Sequence, residues 1–121
     1  MARYDRPVSS AALLDEIANE LGSWPGVRIE RPSDATALVR YEHLELGLLD
    51  RDRGVVELRY PQPERDELIE RGDAEAATSG PDSVSHAVHG PADVTAALEL
   101  FERRYRDLRG EDDPYASQDP A

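Results

Sequence analysis

Three histidines, His43, His86 and His89, are the side chains of this chain that titrate near neutrality, so proton-transfer chemistry would have to start from them. His43 stands between Glu42 and Glu45, where a carboxylate–histidine couple can form. His86 shares an alternating run with Val84 and Val88, whereas His89 comes three residues later. In a strand that spacing sends the two side chains to opposite faces, which argues against a shared metal. His43 and His86 are therefore the candidate catalytic residues, and neither a metal nor a cofactor is expected. Trp24, before Pro25, reads first as a lid on the core, and Tyr60, before Pro61, as a strand end. Together with His86 they are the candidates for a ligand pocket.

Other chemistries lack their residues. There is no cysteine, hence no thiolate nucleophile, disulfide framework or thiolate zinc site. No G-x-S-x-G is present, and Ser79 and Ser83 have no evident base, which disfavours a hydrolase triad. Asp50-Arg51-Asp52-Arg53-Gly54 has the look of a calcium loop but lacks its spacing and terminal glutamate. No glycine-rich phosphate loop exists.

The chain has 121 residues, one ordinary domain, with 26 acidic residues against 14 basic ones and a net charge of −12. All the basic residues are arginine. An acidic, lysine-free chain suits a cytoplasm full of molar salt, where the Debye length falls to roughly 3 Å and self-repulsion is tolerable. The competing explanation is a GC-rich genome, in which codon bias replaces lysine with arginine. Such a charge repels phosphate backbones and anionic lipid, so neither nucleic acid nor membrane is an expected partner. With no apolar run of membrane-spanning length and no apolar signal core at its start, the chain reads as a cytoplasmic protein. It is expected to be a monomer or weak homodimer.

Hydrophobic spacing supplies the elements that must position these residues. Residues 1–8 read as a mobile leader. Ser9 or Ser10 can cap a helix over about 10–21, with Leu14, Ile17, Ala18 and Leu21 on one face and Gly22 as its stop. Val27 and Ile29, the run 36–41, Leu44–Leu46–Leu48 and Val56–Leu58–Tyr60 alternate as strands joined by short polar turns, which implies antiparallel pairing. Pro63 opens a short helix that Gly72 ends, residues 73–82 form a loop, and Val84–His86–Val88 is the last strand. After Gly90-Pro91 comes a long helix whose apolar stripe is Val94, Ala97, Leu98, Phe101, Tyr105 and Leu108. Glu99–Arg103 and Glu102–Arg106 have the spacing of helical ion pairs, and residues 110–121 read as a disordered acidic tail. The expected fold is a two-layer α+β sandwich over residues 9–109: an antiparallel sheet of four to five strands packed by an N-terminal and a C-terminal helix, in the order α-β-β-β-β-α-β-α.

The run Leu21-Gly22-Ser23-Trp24-Pro25-Gly26-Val27 resembles the opening of the luciferase-domain family. The resemblance continues through Glu45-Leu46-Gly47, Val56-Glu57-Leu58-Arg59-Tyr60-Pro61 and Arg65-Asp66-Glu67-Leu68-Ile69 with Gly72. It ends with Pro81-Asp82-Ser83 and Ala92-Asp93-Val94, so that it spans about residues 13–107 in order. It implies a fold shared with fungal luciferases, which oxidise a hydroxypyrone with molecular oxygen and no metal. Where that family usually has a His-x-His after Glu-Leu-Gly, this chain has Leu48 and Asp50; where a Gly-Trp tends to follow the proline, it has Asp82 and Ser83. The layout of the second half also resembles small double-wing domains of the YjbR type. The expectation is a small-molecule-binding or protein-interaction module that kept the scaffold. The alternative is a cofactor-independent oxygenase, or another small-molecule enzyme, with its pocket between the sheet and the C-terminal helix.

Overall fold

A computed structural model describes residues 9–77 and 80–112 of the chain. Helix α1 (Ser10–Gly22) starts where the Ser9 side chain accepts the Ala12 amide, and it buries Leu13, Leu14, Ile17, Ala18 and Leu21. Four strands follow, β1 (Val27–Glu30), β2 (Thr36–Tyr41), β3 (Leu44–Asp50) and β4 (Val55–Arg59), then helix α2 (Gln62–Glu70), with Pro63 in its first turn. Strands β5 (Glu75–Ala76) and β6 (Ser83–Ala87) and helix α3 (Pro91–Asp112) complete the order. All strands pair antiparallel in one six-stranded sheet, ordered β1-β2-β3-β4-β6-β5. This is the expected α+β sandwich. Its sixth strand is β5, two residues inside the stretch 73–82 read as loop, held because Glu75 and Ala76 pair with Ser85 and Val84.

The strand β3 departs from simple alternation. Val39 pairs with Gly47 but Arg40 with Glu45, so Leu46 is an extra residue in a bulge. Beyond it Leu49 faces the core with Ala37 and Val56, while Leu48 sits between Leu38 and Glu57 on the opposite face. The glycine of Glu45-Leu46-Gly47 has a physical reason: a Cβ there would collide with the Glu57 carbonyl oxygen.

One apolar core lies between the sheet and α1, α2 and α3. Leu46, Leu58, Val84 and Phe101 are 0–1% exposed, so this space is filled by side chains. The α3 stripe is turned slightly from the expected one. Leu100 is buried in it, whereas Leu98 is half-buried at its margin. Residues 110–112, assigned to the tail, continue α3; Gly110 lowers helix stability by about 1 kcal/mol and does not end it. The leader 1–8 and residues 113–121 lie outside the described residues. Among the described residues no helix is long and apolar enough to cross a membrane.

Candidate functional site

The histidines do not converge. His43 is exposed in the β2–β3 turn beside Glu42, whose φ of 55° places it in the left-handed region. It forms no couple with Glu45, whose Oε2 pairs with Arg59 Nε at 3.1 Å. His86 pairs with Val56, near the other end of the sheet and two strands away from β3. By strand spacing the two are roughly 20 Å apart, so His43 and His86 cannot serve one cavity. His89 is exposed beyond the end of β6.

His86 has one acidic neighbour. Its Nε2 is buried, without a hydrogen-bond partner, and 3.7 Å from Asp93 Oδ1. The other Asp93 oxygen accepts the amides of His89 at 2.8 Å and Gly90 at 3.2 Å, closing the first turn of α3. Those amides, His89 first, hold the Asp93 carboxyl below the usual aspartate range, with His86 adding a smaller pull in the same direction.

Tyr60 is a core residue, not part of an open pocket. It is 1% exposed, and its hydroxyl donates to the Leu100 carbonyl at 2.7 Å. Burial pushes its phenol well above the usual range. The Arg104 guanidinium lies 5.9 Å from the centre of its ring. Close by, α2 brings Glu64 against Asp107 of α3; burial raises the Glu64 carboxyl, and the facing Asp107 carboxyl raises it further.

Trp24 lies at a groove. The turn Trp24-Pro25-Gly26 is fixed from several sides: the Trp24 amide donates to the Leu21 carbonyl, the Val27 amide to the Trp24 carbonyl, and the Tyr105 hydroxyl to the Pro25 carbonyl at 2.6 Å. The indole is half-buried, packs 5.1 Å from the Tyr105 ring and donates Nε1–H to Glu20 Oε2 at 3.2 Å. Between α1 and α3 it lines a groove of about 240 Å³ with Glu20, Thr95, Leu98, Glu99 and Glu102. Among the described residues no basic side chain lines this groove; Arg106 reaches Glu102 at 3.5 Å from the next turn of α3. The expected Glu99–Arg103 ion pair does not form, and Arg103 lines a separate groove of about 330 Å³ between α2 and α3, with Arg71 and Asp73. There Arg71 is taken up by Glu67 at 3.2 Å and Asp73 at 3.4 Å, while Arg103 and Glu99, which lines this groove as well, stay without an ion pair among the described residues.

An indole face flanked by three carboxylates attracts a cation twice, through its ring quadrupole and through charge. The sequence pointed to Trp24 but not to its three glutamates. Glu20 and the pair Glu99–Glu102 belong to helices far apart in the chain, and in a chain this acidic each reads as an ordinary solvated residue.

The positions where a His-x-His would stand, Leu48 and Asp50, lie on the face of the sheet away from the helices, and none of the three histidines joins them there. Comparison with known proteins finds no matching family model, no matching curated protein and no matching solved structure.

Proposed function

We propose that this chain is a binding module on a luciferase-domain-like scaffold, and that its site is the Trp24 groove, which takes the cationic group of a small organic molecule. The observation that carries the reading is the groove itself: one indole and three carboxylates, with no basic side chain among the described residues lining it. The scaffold reading is supported by the order of the motifs. Trp24-Pro25-Gly26 makes the α1–β1 turn, Glu45-Leu46-Gly47 the β3 bulge, and Ala92-Asp93-Val94 the first turn of α3. A filled core favours binding at the surface over chemistry inside the sandwich.

Trp24 is the chain's one tryptophan, so its fluorescence reports on the groove directly. Tetramethylammonium should change the emission saturably, whereas tert-butanol at the same concentration and ionic strength should not. A Glu99→Gln, Glu102→Gln double variant should lose the response. Equal responses to the cation and its neutral isostere, or none to either, overturn the reading.

The second reading, a small-molecule enzyme, is favoured by the unpartnered Nε2 of His86 beside Asp93. An imidazole within reach of a carboxylate is a residue pair from which general-base chemistry can start. Oxygen consumption with hydroxypyrone substrates, abolished by His86→Ala, would establish it in place of the binding module. The expected result is no turnover in either protein.

A further inference from the structure

All three helices pack on one side of the sheet, which leaves the other side uncovered by any described helix. At its middle Leu38 and Leu48 are register partners, both half-buried. Around them the charges are matched. Arg40 Nε bonds Glu30 Oε1 at 2.7 Å, Arg59 pairs with Glu45 at 3.1 Å, and Arg53 with the buried Glu57 at 3.0 Å. Arg28 reaches Glu30 at 3.7 Å, and Arg53 lies 3.9 Å from Asp50. Glu75 stands at the far edge, opposite Ser85. Among the described residues four arginines thus meet five carboxylates on this face, so they contribute only −1 of the chain's −12.

We propose that the open sheet face is a self-association surface, which seats a second copy of this chain about a two-fold axis near Leu38 and Leu48. Two chains of net charge −12 repel wherever their acidic surfaces meet, and this nearly neutral face is where they approach at least cost. Its ion pairs link different strands, β2 to β1 and β4 to β3, so both signs occur on each half of the face. A two-fold axis lays such a surface on itself with arginines opposite carboxylates and the leucines at the centre. A strongly charged partner of either sign finds no net attraction here. Six strands about 4.8 Å apart and about five residues long offer a footprint of roughly 400 Å² per copy. That is below the roughly 800 Å² per partner of a standard interface, so the dimer is weak and concentration-dependent.

Sedimentation equilibrium of the full chain in molar potassium chloride tests this. Between micromolar and millimolar concentration the mean mass should climb from the 13.4 kDa monomer toward twice that value. Leu48→Glu, which places an unpaired carboxylate at the axis, should weaken the dimer at least about tenfold. Arg59→Glu, at a side chain 48% exposed, should do the same by taking the charge of each face from −1 to −3, and it serves if the first variant does not fold by circular dichroism. A constant monomer mass overturns the proposal, and so does a dimer that survives the folded variants unchanged.

Discussion

Tyr105, in the middle of α3, donates its hydroxyl hydrogen to the carbonyl of Pro25, 80 residues earlier in the chain, at 2.6 Å. Its ring also packs against Trp24 at 5.1 Å and edge-on against Tyr41 at 5.3 Å. One side chain thus ties the last helix to the turn that carries the groove's indole. Removing only the hydroxyl, in Tyr105→Phe, should cost about 1 kcal/mol and shift the Trp24 emission, because the Pro25 carbonyl loses its donor. Denaturant titration read by fluorescence measures both. An unchanged native spectrum would mean that the turn is held by the chain on either side of it.

The elements were legible where periodicity and punctuation agree: Ser9 before an apolar stripe, Pro63 and Gly72 around α2, Gly90-Pro91 before α3. What stayed hidden depends on partners distant in sequence. Leu44–Leu46–Leu48 reads as one alternating face, yet the bulge at Leu46 sends Leu48 to the open side and Leu49 to the core. Nothing local announces this, because the register shift shows only once β3 pairs with β2. Likewise β5 exists only because β6 offers its edge, and the Trp24 groove only because α1 packs on α3. His43 could not be placed from its sequence neighbours, since its neighbour Glu45 is claimed by Arg59, 14 residues further on from Glu45.

Phe101 is fully buried between α3 and the sheet, whereas Glu99, two residues earlier, is exposed. Phe101→Ala should therefore destabilise the fold by roughly 3–5 kcal/mol, through lost burial and a cavity that the close-packed core cannot collapse. Glu99→Ala should stay within about 0.5 kcal/mol of the parent. Comparable losses in urea titrations would mean that the orientation of α3 is wrong.

Glu64 gives a pH dependence whose sign is fixed. Its folded carboxyl is raised, by burial first and by Asp107 second, against a smaller downward pull from Arg103 and Arg104. A raised carboxyl favours the folded state while it is protonated. That contribution is fully present below the ordinary glutamate range and is lost as pH rises through the raised folded value. Glu64→Gln, a neutral mimic of the protonated form, should therefore be at least as stable as the parent at pH 7. Its advantage should disappear on acidification into the carboxylate range. Melting temperatures of both proteins across that window decide it; a variant less stable than the parent at neutral pH contradicts the assignment.

Salt should stabilise the fold. The ion pairs among the described residues are mostly at partly exposed sites, where each contributes little, about 0–1 kcal/mol, so screening them removes little. Against that, 12 uncompensated negative charges repel one another in the folded state more than in the expanded unfolded chain. Raising potassium chloride from dilute buffer to molar concentration shortens the Debye length from roughly 30 Å to roughly 3 Å, which suppresses this long-range repulsion while contact pairs such as Arg40–Glu30 at 2.7 Å are affected least. Apolar burial between sheet and helices does not depend on that screening, so the net effect follows the charge imbalance. The melting temperature should rise steadily over this range. A midpoint that stays level or falls would assign the acidity and the missing lysines to genome composition instead of a saline interior.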